Sequence, residues 1–235
     1  MAIFSNMLGA LALLGLIVPP AAPQARQVRK PASAPTTCDA HFEGELVLIV
    51  QPDGRLMRLN QPYAFRDGKC GRWSVPKGAL VDGASIPGAL WSVIGGPFEG
   101  RYRNASVLHD WYCITRTRPW REVHRMFFDG MIAAGVPRAQ AQLMYAAVYL
   151  RGPRWDQMTV ANARLAYAIP DGSKGIFSTP ALRAALEQGK VDPKTKLQDV
   201  PRLTESEVDA LSSALEGKVL DADAIERVAD AVDKG

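Results

Sequence analysis

The sequence predicts an α+β protein, in which a small antiparallel β-meander precedes a helical bundle and a C-terminal helical tail. Short apolar and β-branched segments between turn signals occupy residues 45–81. Helical periodicity, with prolines at helix starts and glycines at helix stops, dominates after Gly100. The length of 235 residues is sufficient for one full core with appendages.

Four segments are expected along the chain. Residues 1–25 are predicted to be a signal peptide or an N-terminal anchor, and residues 26–40, rich in Pro, Ala, Ser and Thr, a flexible linker. Residues 41–170 form the predicted α+β domain. Residues 171–235 form the predicted acidic helical tail.

The N-terminal segment predicts export. Its apolar run from Met7 to Val18 has 12 residues, which suits a signal peptide and is short for a membrane span of ~20 residues. Arg26 follows closely and opposes translocation. The expected location is therefore periplasmic or secreted, with an uncleaved, membrane-anchored N-terminus as the alternative.

The β-region begins with a hairpin. Residues 45–50 and 55–59 are its two strands, joined by the turn signal Pro52, Asp53 and Gly54. Further strands are expected at residues 62–66, 72–75 and 79–81.

The helical region contains several separate helices. A first helix is expected to end near Ile114, a second to run from Pro119 to a stop at Gly135, and a third to begin at Pro137. Residues 157–168 are a fourth candidate helix. Two more helices are expected in the tail, with Thr204 capping the first of them.

Charge is unevenly distributed. Residues 1–170 carry 19 basic and 11 acidic side chains, so +8, and residues 171–235 carry 9 and 13, so −4. A basic body favours a polyanionic partner such as a membrane surface or another envelope component, although solubility and internal pairing explain the same pattern.

Arginine–aromatic clusters at 101–103, 116–121 and 151–155 lack any nucleic-acid-binding motif, so nucleic acid is disfavoured. The oligomeric state is left open.

The three cysteines fit an exported protein. Cys38 and Cys70 flank the β-region and can pair, closing a loop of about 33 residues worth roughly 3–4 kcal/mol. Cys113 would then remain inside a helix. Three cysteines without C-x-x-C disfavour a structural zinc site. The alternative is three buried thiols.

The candidate catalytic residues are His109, Asp110 and His124. Imidazole acts as a general base near neutral pH, and a carboxylate can orient it or hold a divalent cation. The turn containing Asp82 and Ser85 is a candidate support for this site, with Asp110 and Asp82 as candidate metal ligands. The alternative is a buried polar network, with Ser85 satisfying its own turn.

The motifs VDGASIPGALW, ASVLHDWYC and REVHRMFFDGM resemble DUF1353, a family of uncharacterised bacterial and phage proteins. The resemblance covers roughly Glu45 to Trp155 and implies no activity. In one departure, His124 stands where the family pattern has an aspartate.

The helix pair is also distantly similar to that of phospholipase A2. This resemblance implies His109 as the base that activates water and Asp110 as a calcium ligand. His124 would take the place of the aspartate that orients the histidine, although an imidazole cannot act as a carboxylate does. The glycine-rich calcium loop of that family is absent.

These residues lead to two hypotheses of different classes. The first is a hydrolase that acts on a cell-envelope ester or a related bond. The second is a non-catalytic envelope or phage-derived interaction protein, in which the same residues form a structural network.

Overall fold

The structure is a computed structural model that describes residues 38–54, 56–83, 100–159 and 203–234. All of them lie in one of the two units into which the chain divides, Pro35–Gly235. Short strands come first and helices follow, so the predicted α+β class is confirmed. The segment 1–25, Ser85 and residues 160–202 lie outside the described residues.

In the residues that the structure describes, six short strands form two antiparallel three-stranded sheets instead of one meander. The first sheet has the order β1-β4-β5, and its strands are His41–Glu43, Tyr63–Arg66 and Arg72–Val75. The second has the order β2-β3-β6, and its strands are Leu48–Val50, Met57–Leu59 and Leu80–Val81. The two sheets alternate along the chain because β1, which was not predicted, pairs with β4.

The predicted hairpin is present as β2 and β3. Leu48 lies opposite Leu59, and Val50 lies opposite Met57. The turn between them closes through a hydrogen bond from Gln51 N to Leu56 O of 2.8 Å. Gly54 takes a φ of +67° there, a conformation that glycine adopts without steric cost.

A disulfide joins Cys38 to Cys70, with 5.1 Å between their Cα atoms. Cys70 lies in the turn between β4 and β5 and has a φ of +64°. The same turn is held by Asp67, whose carboxylate accepts hydrogen bonds from the Gly71 amide at 2.7 Å and from Trp73 Nε1 at 2.9 Å. The bridge therefore attaches the residues before β1 to a turn that is already fixed by its own side chains.

Five helices follow among the described residues: α1 Arg103–Thr115, α2 Trp120–Ala133, α3 Arg138–Arg151, α4 Glu205–Leu215 and α5 Ala222–Val232. Pro119 and Pro137 cap α2 and α3 at their starts, and Gly135 follows α2 with a φ of +75°, as the pattern predicts. Thr204 and Glu207 form a capping box at the start of α4. Residues 157–159 are helical, and the rest of that predicted helix lies outside the described residues.

Each helix packs on the next, α1 on α2 and α2 on α3, while α3 contacts both tail helices. One apolar cluster joins the α1–α3 helices to the tail, and a second joins α1 and α2 to both sheets. In the second cluster, the Trp73 ring meets Tyr112 edge-on at 5.1 Å, and the Ser74 amide donates to the Tyr112 hydroxyl at 3.1 Å. The α1 helix is therefore enclosed between the sheets and the other helices.

Within the described ranges, no helix combines the length and the apolar character that crossing a membrane requires.

Candidate functional site

The candidate site is built on the contact between α1 and α2. His109 and Cys113 are four residues apart on α1 and therefore share one face of that helix. His124 lies on the facing side of α2. The two helices come close where Gly130 meets Ala105: a Cβ on Gly130 would lie 3.0 Å from the Ala105 Cβ. The small residues at this crossing help to bring the three side chains together.

The two histidines are hydrogen-bonded. His109 Nε2 lies 2.9 Å from His124 Nδ1, and the ring centroids are 5.1 Å apart. The Cys113 sulfur lies 3.6 Å from Nε2 and 3.8 Å from Nδ1 of His109. One ligand atom from each of the three residues falls within 4.8 Å of the others. We refer to His109, Cys113 and His124 as the His–His–Cys cluster.

The cluster is excluded from solvent. His109 is 1% exposed, and His124 and Cys113 are 0% exposed. Burial lowers the pKa of His124 to about 3; the Pro153 backbone opposes the shift, and the Arg154 charge adds to it. His124 is therefore neutral at physiological pH, with one ring nitrogen as donor and the other as acceptor.

Aromatic rings surround the cluster. Phe127 lies 4.8 Å from the His109 ring, while Trp120 and Trp155 lie 5.4 and 6.5 Å from the His124 ring. Gly152 closes the side towards His124, since a Cβ there would lie 3.0 Å from His124 Nε2 and 2.2 Å from the Val148 carbonyl oxygen. Any side chain at this position would collide with the backbone, so the residue must be glycine.

The candidate residues named from the sequence are only partly brought together. His109 and His124 meet directly. Asp110 is fully buried on α1, and Asp82 is half-buried after β6. In the part of the chain that the structure describes, the group suited to a metal contains neither aspartate. Ser85 lies outside the described residues.

Sequence reasoning missed the role of Cys113. It left Cys113 over, inside a helix, once Cys38 and Cys70 were paired. The available signal was the H-x3-C spacing on a helix, which aligns imidazole and thiol on one side. The third donor comes from a separate helix, and only the fold brings it within reach.

The arginine–aromatic clusters make contacts within the protein. The Arg118 guanidinium lies over the Trp73 ring at 4.2 Å, and Arg154 lies over Trp120 at 4.9 Å. Arg118 also donates a hydrogen bond of 2.9 Å to the Arg72 carbonyl oxygen. These arginines therefore pack the sheets and α3 against α2 and its preceding loop.

Fold and site together define an α+β protein with a buried centre of two histidines and one cysteine. Residues 57–148 match the model of the family described as "Protein of unknown function (DUF1353)", which confirms the resemblance drawn from the motifs. The match extends from β3 into α3 and includes the whole His–His–Cys cluster.

Two curated relatives from Sinorhizobium fredii are similar to this chain. "Uncharacterized protein y4jT" is 44% identical over 128 residues, which are 54% of this chain and 38% of the relative. "Uncharacterized protein y4iH" is 40% identical over 115 residues, which are 48% of each chain. This chain therefore spans less than half the length of either relative. No solved structure matches it.

Proposed function

We propose that the protein is a hydrolase whose chemistry is centred on His109 and His124, acting on an ester or a related bond of the cell envelope. The observation that carries this proposal is the 2.9 Å hydrogen bond between two buried imidazoles. The two bonded nitrogens occupy each other, so a proton would be exchanged with a substrate at the other ring nitrogens, and the bond between the rings lets the pair pass a proton along. General acid–base catalysis requires such a transfer.

The surroundings support this use of the pair. Phe127 and Trp120 flank the rings and keep water away, which strengthens electrostatic interactions with a reacting group. Asp110 follows His109 directly and is fully buried. In the phospholipase A2-like arrangement it would hold a cation, while His124 occupies the place of the orienting aspartate.

The envelope substrate is proposed from the sequence. The uncharged, apolar N-terminal segment predicts export, and the basic body, with a net +8 over residues 1–170, favours an anionic surface. An ester in a membrane phospholipid or in another envelope component would be within reach of an exported protein and would lie at an anionic surface.

The test is hydrolysis by the purified full-length protein, assayed with chromogenic esters of graded chain length and with anionic phospholipid vesicles. His109→Gln and His124→Gln are expected to lower the rate by about 10²–10⁴-fold, which is the usual contribution of a general acid or base. His41→Gln is the matched control, since this third histidine is exposed and its hydrogen bond within the described part of the chain is local, to the Asp39 carbonyl oxygen at 2.8 Å. Absence of hydrolysis, or equal rates in all three variants, contradicts the proposal.

Burial favours a second candidate, the non-catalytic envelope or phage-derived interaction protein. His109, Asp110 and His124 are at most 1% exposed, and buried polar groups that satisfy one another commonly hold a core in a single arrangement. Under this proposal His109→Gln lowers the thermal stability, and the wild-type protein hydrolyses none of the esters.

A further inference from the structure

The His–His–Cys cluster has the donor composition of a transition-metal site. Two imidazole nitrogens and one thiol sulfur are ligands that zinc-class ions prefer, whereas calcium and magnesium prefer oxygen. Three protein ligands are also the number found in zinc sites that keep a fourth position for water or substrate. This composition differs from the aspartate ligands expected from the sequence.

The three ligand atoms lie within 4.8 Å of one another, and two of their separations are close to those around a tetrahedral ion. Bonds of about 2.05 Å to nitrogen and 2.3 Å to sulfur place two nitrogens roughly 3.3 Å apart, and nitrogen and sulfur roughly 3.6 Å apart. The separation between Cys113 Sγ and His109 Nε2 is 3.6 Å, but Sγ is also 3.8 Å from Nδ1, so the thiol lies beside the ring and has to turn about χ1 to reach an ion on the Nε2 lone pair. The 2.9 Å between His109 Nε2 and His124 Nδ1 requires those rings to move apart by only a few tenths of an ångström.

The groups around the cluster suit a ligating His124. Its Nε2 lies towards Gly152 and has no acceptor within hydrogen-bonding geometry among the described residues, while the Pro153 backbone raises the pKa of the ring against the effect of burial. When Nδ1 binds an ion, the remaining proton sits on Nε2, and the Pro153 carbonyl is the backbone group that can accept it after a small shift. Ligating histidines usually have such an outer partner, which fixes the tautomer and the ring orientation.

The enclosure also favours retention of an ion. The two helices that carry the three side chains are packed together. Each of the three residues is at most 1% exposed. Trp120, Trp155 and Phe127 form an apolar shell around the rings. Ligands that packing already holds in place lose little freedom on binding, and an apolar shell limits the access of competing water.

We infer that His109, Cys113 and His124 bind one zinc-class divalent ion, whose fourth ligand is a group as small as water, since the cluster is enclosed. Binding displaces the thiol proton of Cys113 and replaces the hydrogen bond between the two rings. Metal binding and hydrolysis are measured separately. The site can therefore hold an ion whether or not the proposed hydrolysis takes place.

The direct test uses the full-length protein, stripped with a chelator and then titrated with Zn²⁺ or Co²⁺. The expected result is one equivalent of zinc retained by mass spectrometry. Cobalt is expected to show a thiolate-to-metal charge-transfer band and the visible bands of four-coordinate cobalt. The chain has three cysteines, and Cys38 and Cys70 are paired, so a thiolate band reports Cys113 alone.

Matched variants separate this site from other metal binding. Cys113→Ser is expected to abolish the charge-transfer band and to weaken zinc binding by more than about 100-fold, since loss of an outer-shell partner alone costs 10- to 100-fold. His124→Gln is expected to weaken binding similarly. His41→Gln is expected to retain full binding, because His41 lies on β1 and outside the cluster.

Wild-type protein that retains no zinc, or a cobalt complex without a thiolate band, overturns the inference. Zinc binding that is unchanged in Cys113→Ser also overturns it. If a variant fails to fold, the wild-type cobalt spectrum still decides. Zinc must also raise the melting temperature of wild-type protein, because a ligand of the folded state alone stabilises it.

Discussion

At the scale of single residues, Asp129 on α2 has an unusual environment. It is half-buried, and burial raises the pKa of its carboxyl to about 6. Lys69 and Arg125 oppose this change, while the nearby Asp67 charge adds to it. The folded protein therefore holds a proton on Asp129 at a pH where the unfolded chain has released it.

The sign of the resulting pH dependence follows from this difference. The contribution of Asp129 to stability is fully present below the unfolded pKa of 3.8 and is lost as the pH rises through about 6. A shift of about two units corresponds to at most roughly 3 kcal/mol. Asp129→Asn is expected to remove this loss and so to stabilise the protein more at pH 7 than at pH 4.5.

Urea unfolding of wild type and Asp129→Asn at both pH values measures the effect as a difference between the two proteins. Asp209→Asn, at an exposed position on α4, is the control and is expected to change the stability equally at both pH values. A variant no more stable than wild type at pH 7 would show that the proton is not held in the folded state.

At the scale of elements, the disulfide joins the chain before β1 to the turn between β4 and β5. It closes a loop with a sequence separation of 32 residues. Limiting the freedom of such a loop in the unfolded chain contributes about 3–4 kcal/mol. The double variant Cys38→Ser/Cys70→Ser is expected to lose stability of this order.

The measurement is chemical unfolding of the oxidised wild type and the double variant, with the denaturant midpoint and slope compared. Cys113 is retained in both proteins, so the cluster on α1 is unchanged. Equal midpoints would mean that the β1 region is held by its pairing with β4 alone.

Local patterns were sufficient to predict most elements. The β2–β3 hairpin, β5 and the proline-started helices α2 and α3 all follow from turn residues and periodicity within a few positions. The strand β1 was missed because His41–Glu43 is short and partly polar, and pairing with β4 defines it. Long-range pairing leaves no local signal.

The candidate site was also predicted only in part from local patterns. Residue type and helical spacing indicated His109 and His124, each within a single helix. The inclusion of Cys113 and the exclusion of Asp110 from the cluster depend on how α1 is rotated against α2. That rotation is set by packing at contacts such as Gly130 with Ala105, and a single sequence does not encode it in any short motif.

At the scale of the whole molecule, the tail helices are docked through Glu226. This residue is 5% exposed, and its carboxylate accepts hydrogen bonds from Arg125 at 2.7 Å and from Tyr145 at 2.6 Å. Burial opposes ionisation, but the bonds from Arg125 and Tyr145 outweigh it, so the pKa of Glu226 is lowered. Part of the negative charge of the tail is therefore paired within the protein, with arginine on α2.

Glu226→Gln is expected to destabilise the protein by about 1.5–3 kcal/mol, the usual worth of hydrogen bonds to a charged group. Asp223→Asn is the matched control, since it removes another carboxylate paired with Arg125. The Asp223 side chain is 64% exposed, and an exposed ion pair contributes less than about 1 kcal/mol. Equal losses in the two variants, measured by thermal unfolding, would show that Glu226 does not anchor the tail.

The distance along the chain between Arg125 and Glu226, 101 residues, also determines an order of events during synthesis. His109 and His124 are only 15 residues apart, so the helix pair that carries them can form soon after it leaves the ribosome. The apolar side of α3 that meets Leu211 and Ile225 stays uncovered until α4 and α5 have been made. A newly made chain therefore completes its histidine pair early, while the surface intended for the tail is open to chaperones or to other copies.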